Sequence, residues 1–174
     1  MARIKLQNEN VNDPEIQKIF NEIKTKTGGK IPAAYRAFGR TAHILAANWN
    51  RTKKILGGGK VPVELKESIA LAVSSVNGCG FCVAIHRRNL AAKNFSETEI
   101  GKIERAESTD KKTDFILKFC VTATKTPAKI SDADFAKLRE FGFSDEEILE
   151  ILTTMEMYTG YNKIIVSLDL QIDD

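Results

Sequence analysis

Cysteine is scarce in this chain: three in 174 residues, too few for the disulfide framework of a secreted scaffold. Long apolar runs are missing, and none approaches the ~20 residues that a membrane-spanning helix needs. Charge of one sign is also short. Lys and Arg number 26 against 23 Asp and Glu, a net charge of +3, too little to grip nucleic acid or anionic lipid. The first residues, MARIKLQNENVNDPE, hold no hydrophobic stretch and no small-residue cleavage site, which argues against a signal peptide. The expectation is a soluble, cytoplasmic protein with no nucleic-acid partner and no membrane partner. Strand patterns are absent too, since no alternation of β-branched and polar residues runs between tight turns. What is present, 43% apolar and 28% charged residues, is the composition of a folded chain and not of a disordered one. The length fits one domain, 1–174, or two small similar halves sharing a core.

Helical signals run almost throughout. Asp13–Pro14 caps and opens a first helix, with Ile16, Ile19, Phe20 and Ile23 on one face and Gly28–Gly29 beyond its end. A second helix is predicted after Pro32, its stripe formed by Tyr35, Phe38, Ala42, Leu45 and Trp49, and ended by Gly57-Gly58-Gly59. A third runs from Pro62 to Asn77–Gly78, a C-terminal signal, and a fourth carries CGFCVAIHRRNLAAK. Ser96 with Glu99 forms a capping-box pattern for a fifth. Further helices are expected over residues 114–124, from Ser131 after a break at Pro127, and, as a long one, from Ser144. That last one uses Ile148, Ile151, Met155, Tyr158 and Ile165 as its inner face. The fold class is therefore all-α. One echo stands out: NFSETEIGKI at 94–103 and GFSDEEILEI at 142–151 match at an offset of 48 residues (142 − 94). Convergent helix-start chemistry and duplication of a helical unit both account for it. Under duplication the second copy holds Pro127 where the first has Cys79, and Ile130 where the first has Cys82.

The chemistry-bearing segment is Glu67 … Cys79-Gly80-Phe81-Cys82 … His86. A Cys-x-x-Cys pair on one helical turn brings two sulfurs within disulfide reach, and in a cytosolic chain this spacing points to catalysis or metal. Cys82 and His86 lie four apart, on one helix face. The thiolate is the nucleophile, and a free thiol near pKa ~8.5 is mostly protonated at neutral pH. A helix N-terminus following Asn77–Gly78 favours negative sulfur. Glu67 would orient or deprotonate His86, but in one continuous helix the two would stand roughly 28 Å apart at ~1.5 Å per residue. They meet only if the chain folds back at Asn77–Gly78 into a helical hairpin.

The pattern Glu-x11-Cys-x2-Cys-x3-His, matched by Glu67, Cys79, Cys82 and His86, resembles the AhpD-like alkylhydroperoxidase branch of the carboxymuconolactone decarboxylase family, and most of all its peroxidase-related members. The likeness runs from about Pro32 to Asp173. It implies an AhpD-like helical bundle, assembly as a homotrimer or homohexamer, and thiol-dependent reduction of organic hydroperoxides or hydrogen peroxide with no cofactor and no metal. It further implies that Cys82 is the peroxide-attacking thiolate and that Cys79 is the resolving thiol that closes a Cys79–Cys82 disulfide. His86 and Glu67 would form the proton relay, and a dithiol, thioredoxin-like or lipoyl reductant would regenerate the pair. One position departs from the pattern. The best-known members carry a second His between the cysteines, where this chain has Phe81, so the relay has one imidazole fewer.

The same residues admit other readings. A zinc site needs a fourth ligand beyond Cys79, Cys82 and His86, and neither His43 nor Cys120 has spacing to supply it; both read as core residues. Gly57-Gly58-Gly59-Lys60 hints at a phosphate loop, but Val61 replaces the Ser/Thr and no strand precedes it. Arg87 and Arg88 either raise the potential at the thiols or form a solvated face. A carboxymuconolactone-type decarboxylase and a non-catalytic redox-sensing oligomer are the alternative functions.

Overall fold

The structure, a computed structural model, describes residues 2–172, and among these no strand occurs. α1 (Pro14–Thr27) starts where local chemistry dictates. The Asp13 carboxylate accepts the N–H groups of Glu15 and Ile16, Pro14 occupies the first helical position, and Gly28 closes the helix in the left-handed conformation at φ +72°. Ile16, Ile19, Phe20 and Ile23 face inward, as the stripe predicts.

The second expected helix is in fact two, α2 (Ala33–Phe38) and α3 (Ala42–Gly57). The chain leaves the α-helix at Gly39, where Arg40 N–H reaches Ala37 O and Thr41 N–H reaches Phe38 O, each at 3.2 Å. These three-residue bonds tighten and end the turn. The cause is a close approach: a Cβ on Gly39 would lie 2.5 Å from Cζ of Phe20. The break does not disturb the inward stripe, since Leu45 and Trp49 remain buried. It does correct one expectation. His43, two residues before Leu45 and so on the opposite side of α3, is exposed and not a core residue.

The remaining helices are α4 (Val63–Val76), α5 (Gly80–Ala91), α6 (Glu97–Glu104), α7 (Lys111–Lys125), α8 (Asp132–Glu140) and α9 (Asp145–Ser167), with a 3₁₀ turn at Pro127–Lys129. Contacts divide the chain into two compact units, one made of residues up to Lys54 with those from Ile165 onward, the other of Ile55–Ile164. In the first unit the Trp49 indole N–H donates to Glu22 at 2.9 Å and stands edge-on to Tyr35. Arg3 N–H ties the start of the chain to Leu168 O at 2.9 Å. In the second unit α4 is the central rod, packed against α5, α6 and α7. Five consecutive residues, Ile69 to Val73, are each at most 1% exposed, so this stretch of α4 is apolar all round, as a helix segment buried on every side must be.

Within this second unit the 48-residue offset orders more than two short segments. α4 shifted by 48 starts on Lys111, the first residue of α7, and α6 so shifted starts on Asp145, the first residue of α9. Asn94 and Gly142 both take positive φ, 66° and 87°. Phe95 N–H bonds Leu90 O, and Phe143 N–H bonds Leu138 O, both at 3.2 Å. Leu90 and Leu138 are both fully buried. Ser96 and Ser144 each exchange hydrogen bonds with the Glu three residues on. On α9 the inner face is Ile148, Ile151, Thr154, Met157, Tyr158, Tyr161 and Asn162. Met157, and not Met155, is the buried methionine, because Met155 is only partly covered.

Candidate redox-active site

The site is built at the bend between α4 and α5. Gly78 takes φ +68°, the left-handed conformation that a residue with a Cβ rarely adopts. With it in place, Asn77 N–H bonds Val73 O, Gly78 N–H bonds Ser75 O and Cys79 N–H bonds Ser74 O, at 2.9–3.1 Å. The bend is also held from α9. Buried Asn162 donates to Ser74 Oγ and accepts from the Asn77 amide, each at 3.0 Å. Cys79 is the N-cap of α5, and its Sγ accepts the Cys82 N–H at 3.4 Å. The two cysteines are joined as a disulfide with Cα atoms 5.3 Å apart, and both are buried, at 1% and 4% exposure.

The hairpin brings Glu67 of α4 to His86 of α5. Glu67 Oε2 and His86 Nδ1 are 2.7 Å apart, and both residues are at most 5% exposed. The same Oε2 accepts the Asn89 amide at 3.1 Å. From α9, Tyr158 stands perpendicular to the imidazole, ring centres 4.5 Å apart. A carboxylate accepts only, so the bond leaves Nδ1 as donor and Nε2 as the basic nitrogen of the neutral ring. A buried acid–base pair adds little net stability.

The four residues singled out in the sequence thus lie on the two arms of one hairpin. Others were not foreseen. Asn89 carries a signal in retrospect, standing three residues after His86 and so on the same helix face. Tyr158 and Asn162 carry none, because their contacts are tertiary. Arg87 does not stand free beside the thiols: its guanidinium bonds Glu104 and Glu97, and Glu104 above all holds its pKa up. Arg88 is exposed. Cys120 is fully buried, as expected, and burial pushes its thiol pKa up, away from reactivity.

The glycine run 57–59 serves a structural purpose. The ammonium of Lys66, 1% exposed, donates to Ile55 O at 2.8 Å and Gly58 O at 2.6 Å and pairs with Glu150 at 3.1 Å. Glu150 in turn accepts the N–H groups of Lys60 and Val61. A surface cavity of about 350 Å³, lined in part by Leu65, Phe95, Ile103 and Asp110, touches none of the four site residues. Among the described residues no group of three or more His, Cys, Asp or Glu is arranged to hold a metal, and no helix is long and apolar enough to cross a membrane.

Fold and site together define an all-α protein with a Cys-x-x-Cys disulfide at a helix start, backed by a buried Glu–His pair. Over residues 32–114 the chain matches the model of the Carboxymuconolactone decarboxylase family. It is 55% identical over 40 residues to the alkyl hydroperoxide reductase AhpD of Koribacter versatilis (strain Ellin345). That match spans 23% of this chain and only 21% of the relative. In fold it is similar to a peroxidase-related protein with an alkylhydroperoxidase AhpD core from Ralstonia eutropha JMP134. There the TM-score is 0.89 at 19% identity, over 99% of this chain and 93% of that one. It is also similar to the debrominase Bmp8, solved as a C82A variant with 2,3,4-tribromopyrrole, at TM-score 0.82 and 18% identity, over 99% and 94% of the two chains. The AhpD-like fold that the resemblance implies is thus met, on a scaffold that serves more than one chemistry.

Proposed function

We propose that this protein is a cytoplasmic thiol peroxidase that reduces organic hydroperoxides or hydrogen peroxide through Cys79 and Cys82, working as a single AhpD-like domain in a homotrimer or homohexamer. The observation that carries the reading is the 2.7 Å Glu67–His86 bond on the hairpin that presents the disulfide. The family match supports it.

In the reduced enzyme His86, oriented by Glu67, takes the proton of Cys82. The thiolate attacks the peroxide, the O–O bond breaks, and one oxygen stays on sulfur as sulfenic acid while the other leaves as alcohol or water with a proton. The Cys79 thiol then attacks the sulfenic sulfur, the S–O bond breaks, water leaves and the disulfide closes, which protects Cys82 from further oxidation. A dithiol reductant returns both thiols and is itself oxidised to a disulfide. The burial of both sulfurs suits a small uncharged oxidant, and so does the absence of a strong charge excess to steer an ion. The matching starts of α4 with α7 and of α6 with α9 at the 48-residue offset support descent of the domain from a duplicated unit in which only the first copy kept the cysteines.

Thiol counting tests the cycle. One equivalent of peroxide should remove two thiols, a dithiol should restore them, and Cys79→Ser should stop at sulfenic acid. A Cys82→Ser protein that still turned over peroxide would end the assignment. Phe81, buried in the place of a second relay imidazole, favours one other reading, a redox sensor. Reversible disulfide formation that changes the assembly state without catalytic peroxide consumption would select it.

A further inference from the structure

We propose that Asn89 is a positioning residue of this site, acting through Glu67 to set the tautomer of His86; the inference rests on the relay just described. His86 and Asn89 stand one turn apart on α5, and both reach the same oxygen of Glu67, Nδ1 at 2.7 Å and the amide nitrogen at 3.1 Å. A carboxylate on one nearly buried side chain can turn either oxygen toward α5 or away from it. A second donor on the same oxygen removes that freedom and holds Oε2 where His86 needs an acceptor. Because an amide nitrogen only donates, Asn89 also keeps this oxygen in the role of acceptor. His86 then keeps its proton on Nδ1, and Nε2 remains the base nitrogen, since the bond at one ring nitrogen decides the state of the other. The Tyr158 ring stands perpendicular to the imidazole, ring centres 4.5 Å apart. Asn89 is itself only half-buried. Its amide is therefore better explained by what it does to Glu67 than by packing.

The chain has two histidines, so nitrogen-15 histidine labelling reads His86 directly, with His43→Gln to assign the second signal. The wild-type protein should show His86 with its proton on Nδ1 when the ring is neutral. Asn89→Leu, of similar shape but without the donor, should move population to the Nε2–H form. It should also slow single-turnover oxidation of the reduced protein by hydrogen peroxide by about tenfold or more, with the melting temperature unchanged. Asn89→Gln should restore both. If Asn89→Leu does not fold, Asn89→Asp, which puts an acceptor in the donor's place, decides by the same two readouts. An unchanged tautomer in the folded variant overturns the inference, and so does a slowed reaction that Asn89→Gln fails to rescue. A changed tautomer in a protein that consumes no peroxide would instead sink the proposed reaction and leave the role of Asn89 standing.

Discussion

Glu67→Gln separates the chemistry of the site from its architecture. The substitution keeps the shape of the side chain and removes its charge. In the wild type the 2.7 Å bond to His86 is made with both partners nearly out of water. When His86 takes up the thiol proton, the bond joins two charges. A hydrogen bond to a charged group contributes ~1.5–3 kcal/mol against ~1 kcal/mol for a neutral pair, so the variant loses about 0.5–2 kcal/mol of imidazolium stabilisation. If that loss is felt in full at the transition state, oxidation slows by somewhat more than twofold to about thirtyfold. Stability should respond differently. A buried carboxylate carries a desolvation cost that the amide avoids, so urea unfolding should show a free energy unchanged within about 1 kcal/mol or slightly raised. The assay is stopped-flow single turnover of the reduced protein with hydrogen peroxide, run beside the urea titration. An oxidation rate within about twofold of wild type, in a protein of normal stability, would refute the relay; the twofold limit is below the smallest loss derived above.

Other outcomes follow from the same contacts. Lys66→Met strips the buried ammonium from Ile55 O, Gly58 O and Glu150 and should cost about 3–5 kcal/mol, read as a lower urea midpoint with an unchanged slope. Acid should weaken the same clamp. Burial alone would raise the Glu150 pKa, but the Lys60 and Val61 N–H groups and the Lys66 ammonium outweigh it and hold it below 4.5. This contribution is therefore complete above about pH 4.5 and is lost as pH falls through the lowered value. Glu150→Gln should flatten that part of the stability–pH curve. Gly39→Ala should drive a methyl group into the Phe20 ring, 2.5 Å from Cζ, and lower the unfolding free energy by about 1–3 kcal/mol. A Gly39→Ala protein as stable as wild type would mean that the α2–α3 break has another cause.

The sequence by itself determined whatever depends on neighbours within one or two helical turns. Asp13 with Pro14, Ser96 with Glu99 and Ser131 with Asp134 start helices through bonds spanning at most three residues, and each was legible. So were the inner face of α1, the bend at Asn77–Gly78, and the pairing of Cys79 with Cys82 as a candidate redox centre. Even the meeting of Glu67 with His86 followed once the bend was assumed, because only a hairpin closes the gap. Where the outcome depended on a distant part of the chain, local pattern was not enough. The break at Gly39 is dictated by the ring of Phe20, on another helix. The exposure of His43 follows from which side of α3 is covered, and the choice of Met157 over Met155 from which side of α9 is. Tyr158 against His86, Asn162 beneath the cysteine turn and Glu150 in the glycine loop all come from α9 to residues far upstream. Such contacts leave no periodicity and no spacing to read, since a side chain's reach across packed helices is decided by how the helices dock.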